Sequence, residues 1–423
     1  MLKSDAKYKA YCHILSKELV AAFGCTEPIA LAYCASVARE TLGKLPTKCS
    51  LSVCGNIIKN AKSVVVPNTK GLKGIKVSLV AGLIAGNFSD KLEVLSHIND
   101  GQRQKIDEYL LKDNISISPS SSSKQLYIEL FVQDDEHCAK VILADLHTNI
   151  IRVEKDNKVV FSLDEKEQQE VYCEEYGLLN IEDIVDYANT LDVEDIKEPI
   201  SRQIEYNTAI SYEGINNNYG ANIGKIVLST CDDVLFRAMA MASAGSDARM
   251  SGCELPVIIV SGSGNQGMTA SLPVIEYAKH LNASQDKLFR ALVVSNLVTI
   301  HQKTGIGKLS AYCGAISAGI GSASGIAYLI DGDTDTIAHT IVNGLAISSG
   351  VVCDGAKPSC ASKIAVAIYS GILGYNMYKQ GQQFYAGDGL VTKGVEQNIK
   401  NIGRLAKDGM RETDKEIIKI MTE

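Results

Sequence analysis

The chain has 423 residues, 46% of them hydrophobic and 22% charged, with a formal net charge of −7 at pH 7. These are the proportions of an ordinary globular protein long enough for a large core and two or three domains. An acidic balance of this size provides no electrostatic footprint for nucleic acid or an anionic membrane, so neither is an expected partner.

The first residues, MLKSDAKYKAYCHILSKEL, are broken by charges throughout and carry no secretory pattern. Together with twelve cysteines this points to a reducing cytoplasm, where thiols serve as core residues, nucleophiles or metal ligands. Residues 6–23 read as helix. FGCTEP breaks that pattern, and PIALAYCASVARETLG (28–43) reads as a second helix with Pro28 near its first turn. CSLSVCGNIIKNAKSVVVP (49–67) reads as β-rich, and Gly-containing turn residues lead to a helix over about 75–87. The stretches SISPSSSSKQLYIELFV and AKVILADLHTNIIRVEKDNKVVF read as antiparallel strands, with the serine run at 119–123 as a loop tip. The acidic stretch 164–198 reads as solvated amphipathic helices. Beyond residue 200 the pattern is almost all helical, and so rich in Gly, Ser and Ala that the helices must pack closely. The longest uncharged run, AYCGAISAGIGSASGIAYLI (311–330), is long enough to span a membrane, but its small residues suit a helix buried against other backbones. The expected fold is therefore α+β. A mixed α/β lobe with antiparallel strands covers 1–200, and an all-helical lobe covers 201–423.

Four groups of residues carry candidate chemistry. Cys25 sits in GCTEP directly before a helix start, where the positive end of the helix dipole would lower its pKa and make it a nucleophile or base. The bland alternative is a small buried hydrophobe, which accounts well for Cys34. The stretch VIIVSGSGNQGMTASL contains G-x-G-x-x-G at Gly262, Gly264 and Gly267. No strand and acidic residue follow as a dinucleotide site needs, so this loop reads as backbone N–H groups presented to an anion, a carboxylate or a phosphate, or else as a structural turn. His301 precedes a Gly-rich turn and Cys313. Finally, Cys313 opens the long buried run, the turn DGDTDT returns the chain, and VVCDGAKPSC places Cys353 and Cys360 around a bend. Two helices joined by one turn are antiparallel, so all three thiols can meet at one end of a helical hairpin. From spacing alone they fit core packing, a zinc site with a histidine, or an iron–sulfur cluster with one iron open.

The set GCTEP, CGNIIKN, SGSGNQG, HQKTGIGKLSAYCGA, VVCDGAKPSCASK and NIGRLAKDGMRETDKEI, in this order, resembles the L-cysteine desulfidases, relatives of the α chain of iron–sulfur L-serine dehydratase. The resemblance runs from residue 23 to about 417. It implies a pyridoxal-free lyase with a [4Fe-4S] cluster that converts L-cysteine to pyruvate, ammonia and sulfide. Its cluster ligands fall on Cys313, Cys353 and Cys360, and its proposed base on Cys25. Ser261, Ser263, Gly264, Asn265 and Gln266 are then the expected carboxylate loop. His301 is a further substrate contact, and Asn56, Lys59 and Asn60 form a second polar set from the first lobe. The same elimination on L-serine is the alternative within this chemistry, and a non-catalytic anion- or zinc-binding protein the alternative outside it. Small-residue helix faces and a large core also lead us to expect a homodimer.

Overall fold

The computed structural model describes residues 1–164 and 174–423. The first helix, α1 (Ala6–Glu18), stops before residue 23 because Ala21–Phe23 form a strand, β1. Its antiparallel partner is β8 (Pro256–Ile258), far along the chain, so no local signal marks it. Helix α2 (Thr26–Leu42) starts at Cys25, its N-cap, and ends at Gly43 in the left-handed region. The stretch expected to be β-rich at 49–67 divides. Strand β2 (Lys48–Val53) ends at Val53, and a short helix, α3 (Gly55–Ala61), follows. Ile57 and Ala61, one helical turn apart, are both fully buried, which favours the helical spacing. Helices α4 (Ile75–Ala85) and α5 (Asp100–Leu110) follow.

Strands β3 (Ile115–Pro119), β4 (Tyr127–Gln133), β5 (Cys138–Ala144), β6 (Ile150–Lys155) and β7 (Lys158–Ser162) join β2 in a six-stranded sheet of order β3-β2-β4-β5-β6-β7. Only the β2–β3 pair is parallel. Alternate residues such as Leu51, Leu130 and Val141 are buried on one side, and α2 packs against the sheet, with Cys34 Sγ 3.9 Å from Val141 O. Part of the acidic stretch expected to be helical, 165–173, lies outside the described residues. Beyond it lies α6 (Ile181–Thr190).

The C-terminal half is helical apart from β8. Helix α7 (Lys197–Asn216) begins at the point where the sequence pattern changes. It is followed by α8 (Ile223–Thr230), α9 (Val234–Met250), α10 (Gly264–His280), α11 (Gln285–Ile306), α12 (Gly314–Ile330), α13 (Thr334–Ile347), α14 (Cys360–Lys379), α15 (Val395–Arg404) and α16 (Arg411–Thr422). The fold is α+β, with the sheet in the N-terminal half and the helices in the C-terminal half. No helix among the described residues is long and apolar enough to cross a membrane. The small-residue run at 311–330 is instead the central helix α12, enclosed by α10, α11, α13 and α14. Helix α13 ends at Ile347, short of Cys353, so a loop of polar and glycine residues carries the chain into α14.

Candidate active site

Four helices begin at one cavity of about 100 Å³. Cys25 is the N-cap of α2, Ser263 of α10 and Cys313 of α12, and Cys360 is the first residue of α14. All four line it. Each N-terminus contributes partial positive charge, so the cavity favours anions. Its size is below the roughly 300–1,000 Å³ of a drug-sized pocket, which suits a small metabolite and not a dinucleotide.

The three thiols reach the cavity by short connections. The Cys313 N–H donates to Val351 O at 3.1 Å, and the Cys353 N–H donates to Ala311 O at 2.6 Å, so the start of α12 and the loop after α13 run as a two-residue bridge. Gly355, at φ +94°, then turns the loop against α3, where a Cβ would stand 2.3 Å from Lys59 O. Only glycine fits that approach. Cys353 and Cys360, on either side of this turn, face the same cavity as Cys313. None of the three is in a disulfide. Burial pushes the Cys313 thiol up to about 12, and the neighbouring Cys353 and Cys360 sulfurs add to the rise. Burial also raises Cys360.

Among the described residues, no three His, Cys, Asp or Glu side chains stand close enough to hold a single metal ion. Three free thiols spread around one cavity fit a cluster, in which each would meet a different iron, better than a mononuclear zinc. Metal binding would deprotonate the Cys313 and Cys360 thiols, which burial otherwise keeps neutral.

The structure corrects one expectation about Cys25. The helix N-terminus is there, but the thiol is raised well above its ordinary range, first by burial and then by Glu27. Its Sγ donates to Glu27 Oε2 at 3.2 Å. Burial would raise the Glu27 carboxyl, yet His147 beside it and the Cys25 hydrogen bond hold it at about 2. His147 Nε2 lies 3.8 Å from Glu27 Oε1, too far for a hydrogen bond, and has no other partner. Thr26 Oγ1 donates to Gly262 O at 3.0 Å, fixing the start of α2 to the glycine loop.

Of the expected carboxylate loop, Ser263, Asn265 and Gln266 line the cavity. Gln266 Oε1 is buried without a donor. Gly264 packs under Arg249, and Ser261 faces an adjoining pocket with His147. Asn60 also lines the cavity, but its neighbours in the sequence do not. Lys59 is buried in an ion pair with Asp414 at 2.5 Å, and Asn56 donates to Gln125 O at 3.1 Å on a separate open cleft. His301 is also elsewhere, with Nε2 2.7 Å from Glu396 Oε2. The charged residues that line the cavity all escape a reading of the sequence: Glu27, Arg249, Lys303, Lys308 and Lys363. Burial brings the Lys303 amine down to about 8, against the opposing effect of Cys353. The available signal for Arg249 is a charge at the end of AMAMASAGSDARM, an otherwise small-residue helix.

Residues 89–419 match the family model described as serine dehydratase alpha chain. The chain belongs to the serine dehydratase alpha chain family. It is similar over its whole length to a UPF0597 protein of Desulfitobacterium hafniense, at 56% identity and 98% coverage of that relative. A UPF0597 protein of Lachnoclostridium phytofermentans is 48% identical over 98% of this chain and 99% of the relative. One of Finegoldia magna is 44% identical over 98% and 100%. The serine dehydratase alpha chain match includes Arg249, the α10 loop and Cys313, Cys353 and Cys360, and begins after Cys25 and Glu27. The chain is thus a serine dehydratase-like, lyase-type protein of a family associated with iron–sulfur cofactors.

Proposed function

We propose that the chain is an L-cysteine desulfidase. It would eliminate sulfide from L-cysteine and yield pyruvate and ammonia, with a [4Fe-4S] cluster held by Cys313, Cys353 and Cys360. The observation that carries this reading is the presence of these three free thiols and Cys25 on one small cavity at four helix N-termini. When bound, a cluster with one iron free of protein sulfur supplies a Lewis acid for the leaving group. The chain's own residues do the rest. Asn265 and Gln266 at the start of α10 face the cavity where a carboxylate would be held. Cys25 Sγ takes the α proton. To do so it must first lose its own; Glu27 Oε2 accepts the hydrogen bond at 3.2 Å but, held at about 2, is too weak a base to keep that proton, so it leaves to solvent as the site charges up. The positive charge of Arg249 favours the thiolate, and the ammonium of a bound amino acid would act in the same direction. Breaking the C–S bond leaves aminoacrylate, which tautomerises and hydrolyses unaided. L-Serine dehydration by the same steps is the second reading, favoured by the family's own description.

Anaerobically purified protein, assayed with L-cysteine and L-serine side by side, tests both. Cys313→Ala, Cys353→Ala and Cys360→Ala should each lose iron, acid-labile sulfide and activity. Cys25→Ser should keep the iron and lose pyruvate formation by about a hundredfold or more, the usual scale for a general base. Full iron in the three alanine variants would overturn the ligand assignment. Retained exchange of the α hydrogen in Cys25→Ser would move the base to Lys303, which lines the same cavity.

A further inference from the structure

We infer that Arg249 is the anchor for the substrate's carboxylate, an assignment that rests on the amino-acid lyase reading above and adds to it. Arg249 is 3% exposed, in the last turn of α9, and lines the cavity. Its Nε donates to Gly24 O and its Nη1 to Asn265 Oδ1, both at 3.1 Å. Both acceptors are neutral, and no carboxylate among the described residues pairs with the guanidinium. Nη2 is buried with no hydrogen-bond partner among the described residues. Arginine stays protonated, so this is a buried full charge with an unused donor, a costly arrangement unless an anion arrives.

Two neighbouring features fit an anion there. Gly264 opens α10 beneath the guanidinium, where a Cβ would be 2.5 Å from Nε and 2.7 Å from Cζ, so glycine lets the ring of donors lie against the helix start. The N-cap Ser263 makes no capping hydrogen bond with its side chain, which leaves the first-turn N–H groups of α10 to a ligand. A guanidinium and a helix N-terminus facing one small space match the planar, two-oxygen geometry of a carboxylate. The specificity that follows is for substrates with a free carboxylate, whatever leaves from the β carbon.

L-Alanine tests this without turnover, because it has the carboxylate and ammonium but no leaving group. Its binding to anaerobically purified protein is measured by calorimetry beside L-alaninamide and inorganic phosphate. Wild type should bind L-alanine on the order of thirtyfold more tightly than the amide, the scale of a charge-assisted hydrogen bond. Arg249→Met should bind both equally weakly, and Arg249→Lys should recover part of the preference. Equal binding of alanine and alaninamide by wild type overturns the inference even where the variants fail to fold. So does a full preference kept by Arg249→Met, or phosphate binding tighter than alanine. If neither cysteine nor serine is turned over while the alanine preference stands, it is the proposed reaction that fails and not the anchor.

Discussion

Cys25 shows how two local effects on one thiol compete. The helix N-terminus stabilises its thiolate by about 0.3–1 kcal/mol, rising to about 2 kcal/mol in favourable buried geometry. Burial at 3% exposure works the other way, and the ionised Glu27 adds to it through the 3.2 Å contact. The second pair of effects wins, so the resting thiol is protonated. Glu27→Gln should therefore bring the Cys25 titration down, since it removes a negative charge and leaves the burial and Arg249 in place. The check is the rate of Cys25 alkylation by iodoacetamide, followed by mass spectrometry across pH. Wild-type Cys25 should react only at the alkaline end, and the Glu27→Gln profile should move to lower pH. A profile that moves to higher pH would mean Glu27 is not the charge that sets this thiol. The position of Cys25 before a helix is legible in GCTEP, whereas its protonation is not, because His147 and Arg249 come from distant segments. The Arg249 contact to Gly24 spans 225 residues.

Helices α12 and α14 hold two of the three cluster-candidate cysteines at their starts, so their crossing sets the distance between them. At that crossing a Cβ on Gly319 would stand 2.5 Å from Ala367 C and O, and one on Gly371 2.6 Å from Gly319 O. The opposing atoms are backbone and cannot swing aside. Gly319→Ala gains about 1 kcal/mol of helix propensity but costs roughly 1–3 kcal/mol in overpacking, and the second should prevail. A lowered urea midpoint together with reduced iron uptake is the expected result. Gly101→Ala in α5, where the nearest atom is Asn99 Oδ1 at 3.4 Å, should be neutral or slightly stabilising. If Gly319→Ala is as stable as wild type, the crossing is looser than described. This close packing is legible in AYCGAISAGIGSASG, as is the antiparallel hairpin, since one turn after α12 dictates it. Elements with distant partners or too few residues for periodicity are not legible. Strand β1 exists only because β8 is there to pair with it, and α3 spans barely two turns between a strand and a valine run.

At the scale of the molecule, the cavity is assembled from segments that span the chain. The β1–β8 pair, the Thr26–Gly262 hydrogen bond and the Lys59–Asp414 ion pair join the N-terminal elements to the helical half around it. The loop after α13 has fewer ties, chiefly the Cys353–Ala311 and Cys313–Val351 hydrogen bonds and the Lys357 and Lys363 contacts to Asp354. Metal held by Cys313, Cys353 and Cys360 would fasten this loop to the starts of both α12 and α14. A group that binds only the folded state stabilises it by about 4 kcal/mol at a thousandfold excess over its Kd. Unfolding entropy grows with length, so for a chain of this size that amounts to roughly 1–2 °C per kcal/mol, or roughly 4–8 °C in all. Chelation under anaerobic conditions should lower Tm by that amount and remove the visible absorption. Hydrogen exchange should locate the loss, with amides of residues 348–360 exchanging faster while the sheet strands β4 to β6 stay protected. Faster exchange spread evenly over the sheet, or an unchanged loop, would mean that the thiols do not carry a shared metal group.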